Sequence, residues 1–176
     1  MSEQTAVFGG GCFWCLDAQF RLVPGILSVE CGYAGGSVEA PDYEAVCSGT
    51  TGHAEVVKLT YDDSRVGYGE LLELFLACHD PTTRDRQGHD VGSQYRSIIV
   101  CQSPEQRRLA EKTIGAWNAG GYWPAPIVTE LLDGVSFYVA EEHHQNYFAK
   151  QPHQGYCVAV VGPKVEKFRR LISRRS

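Results

Sequence analysis

The chain has no apolar stretch approaching the roughly 20 residues that a membrane span needs; runs such as Ser97-Ile98-Ile99-Val100-Cys101 fall far short. It also lacks a basic surplus. Sixteen Lys and Arg against 21 Asp and Glu leave a net charge of −5, which argues against a nucleic-acid binder, whose footprint is usually basic. Basic residues gather only near the C-terminus (Lys164, Lys167, Arg169, Arg170, Arg174, Arg175), where they read as the solvated face of an amphipathic helix. No repeat, low-complexity block or Pro/Ser-rich linker interrupts the 176 residues, so no boundary is drawn and 1–176 is expected to be one domain of ordinary size. Met1-Ser2-Glu3-Gln4-Thr5 carries neither the basic nor the apolar region of a secretory signal, and a cytoplasmic protein is expected. Nothing demands a second subunit, so a monomer is expected.

Cysteine is what the chain has in quantity. Seven, an odd number at irregular spacing, do not make the disulfide framework of a small secreted protein. In a reducing compartment each thiol is a small core hydrophobe or a chemical group. Cys31, Cys78 and Cys101 lie in apolar strand or helix patterns and read as core, and Cys47 reads as structural. Cys12 and Cys15 form the only Cys-x-x-Cys pair, so a zinc module lacks its second pair. His143 and His144, adjacent in sequence, read as surface or capping residues.

Strands are expected at Ala6–Phe8, 26–33, 54–61 and 98–101. Helices are expected from Cys12 or Phe13 to the Pro24-Gly25 break, around Leu71, Leu72, Phe75 and Leu76, and from Ser103-Pro104 to Gly120-Gly121, opened by a Ser103/Gln106 capping box. Ile127–Leu132 and Ser136–Val139 read as a hairpin across Asp133-Gly134. The polar run from Asp80 to Gln94 is longer than most connections and reads as a functional loop. Strands interleaved with helices and hairpins give an α+β fold, a mixed or antiparallel sheet with helices packed against it.

Gly9-Gly10-Gly11-Cys12-Phe13-Trp14-Cys15 is the most informative stretch. A thiol attacks as the thiolate, and a helix N-terminus favours that anion through its dipole and free N–H groups. The glycines let backbone approach a ligand closely, and Phe13 and Trp14 offer an apolar wall beside the sulfur.

Gly11-Cys12-Phe13-Trp14 resembles the opening motif of the A-type peptide methionine sulfoxide reductases. The likeness continues in order through Gly32-Tyr33-Ala34-Gly35-Gly36, Tyr43-Glu44-Ala45-Val46-Cys47-Ser48-Gly49, Thr51-Gly52-His53-Ala54-Glu55 and His79-Asp80-Pro81. It then runs through Gln87-Gly88-His89-Asp90, Gln94-Tyr95-Arg96-Ser97, Glu142-His143-His144-Gln145 and Gly155-Tyr156-Cys157. The resemblance implies a ferredoxin-like core and thiol-dependent reduction of methionine S-sulfoxide, free or in proteins. It makes Cys12 the nucleophile, sets Phe13 and Trp14 against the substrate methyl, and gathers Tyr43, Glu55, Asp90 and Tyr95 around the sulfoxide oxygen. Attack on the sulfoxide sulfur needs a proton on the departing oxygen. Glu55, among apolar strand residues, is expected to have its pKa raised by burial and to donate that proton. The product, a sulfenic acid, condenses with a second thiol, and a thioredoxin-like dithiol has a suitable potential to reduce the disulfide. No metal or organic cofactor is implied.

The pattern departs from the family in three places. Cys15 stands where Gly is more frequent, Asp17 stands where Glu is commoner, and no further cysteine follows Cys157. Cys157 is the expected resolving thiol, with Cys15 three residues from Cys12 as the alternative. Rival readings use only parts of this set. A cysteine hydrolase would pair Cys12 with His53 or His144, a general thiol-disulfide oxidoreductase would use Cys12 and Cys15 alone, and a binding module would leave the constellation idle.

Overall fold

In the computed structural model, which describes residues 2–175, the chain runs through β1 (Glu3–Gly9), α1 (Phe13–Phe20), β2 (Ile26–Ala34), α2 (Tyr43–Cys47), β3 (Ala54–Asp62) and α3 (Tyr68–Cys78). A two-strand ribbon, β4 (Arg86–Gln87) and β5 (Asp90–Val91), precedes β6 (Ile98–Cys101) and α4 (Pro104–Gly120). The remainder is β7 (Glu130–Asp133), β8 (Phe137–Val139), α5 (Tyr147–Lys150) and α6 (Gly162–Arg175). The six-stranded sheet has the order β7-β6-β1-β3-β2-β8. Its centre, β6-β1-β3-β2, is antiparallel throughout, and with α1 after β1 and α3 after β3 it is the split βαβ arrangement of a ferredoxin-like core.

Alternation on the strands sorts the side chains between two cores. Phe8 on β1 and Val57, Leu59 and Tyr61 on β3 join the larger cluster, where Phe13, Leu16 and Phe20 of α1 meet Leu71, Leu72 and Phe75 of α3. Val7, Ala54, Val56, Ile98 and Val100 face the other way, under Leu132, Val135 and Phe137. The same period of two turns Glu55 toward α1, among the apolar residues.

The expected hairpin at Asp133-Gly134 does not form. β7 pairs in parallel with β6 at one edge of the sheet, and β8 pairs with β2 at the other. Four Cα steps from 133 to 137 reach at most ~15 Å, whereas five flat inter-strand gaps span ~24 Å. The sheet is therefore curled, and residues 132–137 bridge its open face. Two helix expectations also need correction. α1 ends at Phe20 rather than at Pro24-Gly25. The Ser103 hydroxyl caps α4 as expected, but Gln106 reaches back to the Gln102 N–H rather than to that of Ser103.

The turn from β1 into α1 depends on close approach. Gly11 has φ +87°, a region disfavoured for residues with a Cβ. A Cβ on Gly10 would lie 2.6 Å from the His79 ring, and that ring is fixed by the Phe75 carbonyl and the Ser97 hydroxyl. Gly10→Ala is thus expected to destabilise the protein by about 1–3 kcal/mol, the usual cost of overpacking. Chemical denaturation measures this, and an unchanged midpoint would contradict the packing described.

Candidate active site

Cys12 occupies the N-cap of α1, held there because the glycine turn hydrogen-bonds Gly11 N–H to the Tyr95 carbonyl at 3.1 Å. Cys12 is 8% exposed. The Trp14 N–H favours the thiolate, as the helix N-terminus promises, but burial dominates and raises the Cys12 pKa well above that of an ordinary thiol, helped by hydrogen bonding to Cys15 and by nearby Glu55. The dipole alone does not keep this sulfur ionised. Cys15, one turn along, is lowered chiefly by the hydrogen bond from Cys12, against a burial that acts the other way.

Glu55 is 1% exposed. Its Oε1 accepts the Phe13 N–H at 3.0 Å, while its Oε2 is buried without a partner. Burial pushes its pKa up to about 8, with Asp90 adding to the rise, so at neutral pH the carboxyl keeps its proton and has one oxygen free to donate.

The aromatic residues form a box over this pair. Phe13 is fully buried, with Tyr43 at 6.3 Å and His144 at 5.3 Å between ring centroids. His144 lies 4.4 Å from Tyr43, and its Nδ1 accepts the Trp14 indole N–H at 3.1 Å. That bond leaves the His144 proton on Nε2, which is buried and unpaired; burial and His143 hold the ring neutral by lowering its pKa. Trp14 stacks on Tyr147 at 3.8 Å and meets Tyr156 edge-on at 5.9 Å. Burial, followed by Glu55, raises both the Tyr43 and the Tyr95 hydroxyl, so both remain hydrogen-bond donors. Asp90, carried on the β4–β5 ribbon, accepts the Tyr156 hydroxyl. The structure thus brings together Cys12, Phe13, Trp14, Cys15, Tyr43, Glu55, Asp90 and Tyr95.

Cys157 is fully buried and begins the π-helical turn Cys157–Val161. Its thiol is raised by burial and then by Cys15. Cys31 and Cys101 are buried, whereas Cys78 and Cys47 are half-exposed. Cys47 reaches the site itself, since the Tyr43 hydroxyl donates to its sulfur.

Several site residues carry roles that the sequence reading did not assign. His144 is a wall of the box, not a surface residue, and Tyr156 covers the thiol pair. Glu141 binds the Tyr33 hydroxyl and the Tyr43 N–H, and Gln145 pairs with both backbone groups of Cys31. Asp17 is buried and receives Arg21, the Cys31 thiol and the Asn146 N–H, pinning the C-terminal segment to α1. Most of these lie in the quoted motif blocks, but the contacts that residues 141–146 make with Trp14, Asp17, Cys31, Tyr33 and Tyr43 reach 98 residues or more along the sequence. His53 is bound to Gly36 and Val38, and the Nδ1 of His144 is taken by Trp14, so a hydrolase base beside Cys12 is wanting. Among the described residues no group of three or more His, Cys, Asp and Glu is placed to hold a metal, and no helix is long and apolar enough to cross a membrane.

A buried thiol beside a second thiol, facing a protonated carboxyl across an aromatic box, defines a thiol-dependent reductase for a small apolar group bearing an oxygen. Comparison with known proteins agrees. The family model described as peptide methionine sulfoxide reductase matches residues 4–176. The chain is 53% identical over 176 residues to peptide methionine sulfoxide reductase MsrA of Ralstonia nicotianae, covering 98% of this chain and 92% of that one. The reduced form of Mxr1 from Saccharomyces cerevisiae superposes with a TM-score of 0.81 at 32% identity, over 88% of this chain and 89% of that one. Mxr1 in complex with Trx2 matches at a TM-score of 0.58 and 23% identity, over 82% and 84%. The chain belongs to the peptide methionine sulfoxide reductase family.

The Glu55 assignment has a consequence for stability. Between the unfolded value of 4.5 and about 8, the folded chain holds a proton that the unfolded chain releases, so this group makes stability fall as pH rises through that window. Wild type should lose at least about 2 kcal/mol relative to Glu55→Gln between pH 5 and pH 8, given about 1.4 kcal/mol for each unit of pKa difference. Parallel stability curves for the two proteins would contradict a raised Glu55.

Proposed function

We propose that residues 1–176 form one reductase domain that converts methionine S-sulfoxide, free or in polypeptides, to methionine. The observation that carries the mechanism is the Glu55 carboxyl, protonated at neutral pH, with Oε2 unpaired beside the Cys12 thiol. The substrate methyl lies against Phe13, Trp14 and His144, and the sulfoxide oxygen receives hydrogen bonds from Glu55, Tyr43 and Tyr95. Cys12 attacks the sulfoxide sulfur as its proton passes to Cys15, whose pKa is lowered by that same hydrogen bond. Glu55 protonates the oxygen, which passes to the Cys12 sulfur as the substrate S–O bond and the newly formed S–S bond break, leaving Cys12 sulfenic acid and free methionine.

The sulfenic acid then condenses with a thiol and releases water. Cys15 is the first partner on this reading, because its sulfur already hydrogen-bonds to that of Cys12, and cysteines at i and i+3 in a first helical turn meet the distance a disulfide needs. Cys157, whose thiol feels the charge of Cys15, can take the disulfide in a second exchange. An external dithiol completes the cycle. Yeast Mxr1 has been solved with Trx2 bound, which supports a thioredoxin as that reductant. No metal or prosthetic group enters any step, and seven free thiols fit a reducing compartment such as the cytoplasm.

Cys12→Ser should reduce turnover to background. Glu55→Gln should slow formation of the sulfenic acid by about 10²–10⁴-fold, the usual worth of a general acid, and the wild-type rate of that step should fall above pH 8 as Glu55 ionises. Single-turnover release of methionine measures both, and an unchanged rate in Glu55→Gln would refute the proton donor. Without reductant, Cys15→Ser should accumulate Cys12 sulfenic acid, whereas Cys157→Ser should still form a Cys12–Cys15 disulfide visible by peptide mass mapping. The reverse pattern would return the resolving role to Cys157.

A further inference from the structure

A groove of about 690 Å³ opens between α6, the end of α3 and the turn that follows α4. Lys164, Lys167, Arg170 and Arg174 line it, with Tyr122 and Trp123 opposite. At 100° per residue these four cations fall within one stripe of about 120° on α6. None of the four has an ion-pair partner among the described residues, whereas Arg169 and Arg175 of the same helix are matched to Glu166 and Glu73. The groove's carboxylate, Asp80, is turned to the backbone and hydroxyl of Thr82. A chain of net charge −5 therefore concentrates unneutralised positive charge in one concavity. Four of the cations expected on a solvated helix face line this groove, Lys167, Arg170 and Arg174 exposed and Lys164 half-buried.

The groove backs onto the turn and helix that carry the thiol pair, without either thiol in its lining. Gln19, one helical turn beyond Cys15 on α1, forms part of its wall, as do Cys78 and Gln87, and Gln87 packs against Gly11 at the start of the active-site turn. Lys164 favours the thiolate of both Cys15 and Cys78, although burial keeps the Cys78 thiol raised. Phe13, Tyr43, Tyr95 and His144 take no part in the lining. An occupant would therefore sit one helical turn of α1 from Cys15, behind Gln19, and not beside the substrate box.

We propose that this groove docks an acidic segment of the dithiol protein that regenerates the enzyme, bringing the partner's attacking thiolate to the Cys15 side of the active-site disulfide. This rests on the reductase reading above. Complementary charge raises the encounter rate of such a partner and makes it salt-dependent, and the attacking thiolate is itself an anion drawn by the same field. The groove's volume is in the range of a pocket that encloses one small ligand or a few side chains, which suits a single protruding segment.

The test compares wild type with the triple variant Lys167→Glu/Arg170→Glu/Arg174→Glu, using methionine S-sulfoxide with either dithiothreitol or an acidic thioredoxin. The KM for thioredoxin should rise about tenfold or more, in the range that electrostatic steering supplies, and its salt dependence should flatten. The dithiothreitol rate and the KM for sulfoxide should stay unchanged. The milder Lys167→Gln/Arg170→Gln/Arg174→Gln variant should shift the same parameter in the same direction, which separates docking from misfolding of α6. An unchanged thioredoxin KM in both variants would overturn the proposal while leaving the reductase reading intact. A shift confined to the KM of a Glu-flanked sulfoxide peptide would overturn it in favour of an acidic-substrate site. Tight binding of pyrophosphate with no effect on thioredoxin would overturn it in favour of a small-anion site. Failure of wild type with both reductants would instead remove the reductase reading.

Discussion

The hydrogen bond from the Phe13 N–H to Glu55 holds the site together. It ties the first turn of α1 to the central strand β3, so the Cys12 sulfur and the carboxyl proposed to serve it are positioned by one contact. It also satisfies only one carboxyl oxygen. In a buried setting an ionised carboxylate with a single partner is costly, so the group stays neutral, and a neutral acid is what a departing sulfoxide oxygen requires. The fold supplies the environment through strand alternation, which sends residue 55 into the same core as Val57 and Leu59. The acid is therefore a by-product of ordinary sheet packing at one polar position.

The C-terminal half completes a box that the N-terminal half only begins. Residues 140–147 return along the edge of β2, where Gln145 takes both backbone groups of Cys31 as another strand would. Asp17 reaches from α1 to the Asn146 N–H. Those contacts set His144 against Phe13 and Tyr43, and Tyr147 against Trp14. Tyr156 and Cys157 follow, which brings in a third thiol that feels the charge of Cys15.

Much of this was legible in the sequence, and what was not has a physical reason. The strand at 98–101, the cap of α4 and the inward face of α3 follow from periodicity and turn chemistry, which act over a few residues. The glycine turn with Cys12 could be read locally, whereas Glu55 was singled out by the family resemblance, since a strand carboxylate is by itself more often exposed. The failed hairpin is instructive, because Asp133-Gly134 is a sound turn signal. The edges of a curled sheet nonetheless offered each flanking strand a different partner, and curl is a property of the whole sheet. His144 and Tyr156 were hidden because their roles arise from contacts with Trp14, Phe13 and Asp90, far away in the chain. The raised thiol of Cys12 was missed for a related reason: a helix N-terminus can be read from spacing, but the burial that outweighs it cannot.

The account turns on Glu55 being an acid at neutral pH, and infrared difference spectroscopy across a pH titration reads that state directly. A protonated-carboxyl band should be present at pH 7, bleach with a midpoint near 8, and be absent from Glu55→Gln. A band lost near the ordinary carboxylate value, or one that persists in the variant, would contradict the mechanism at its source.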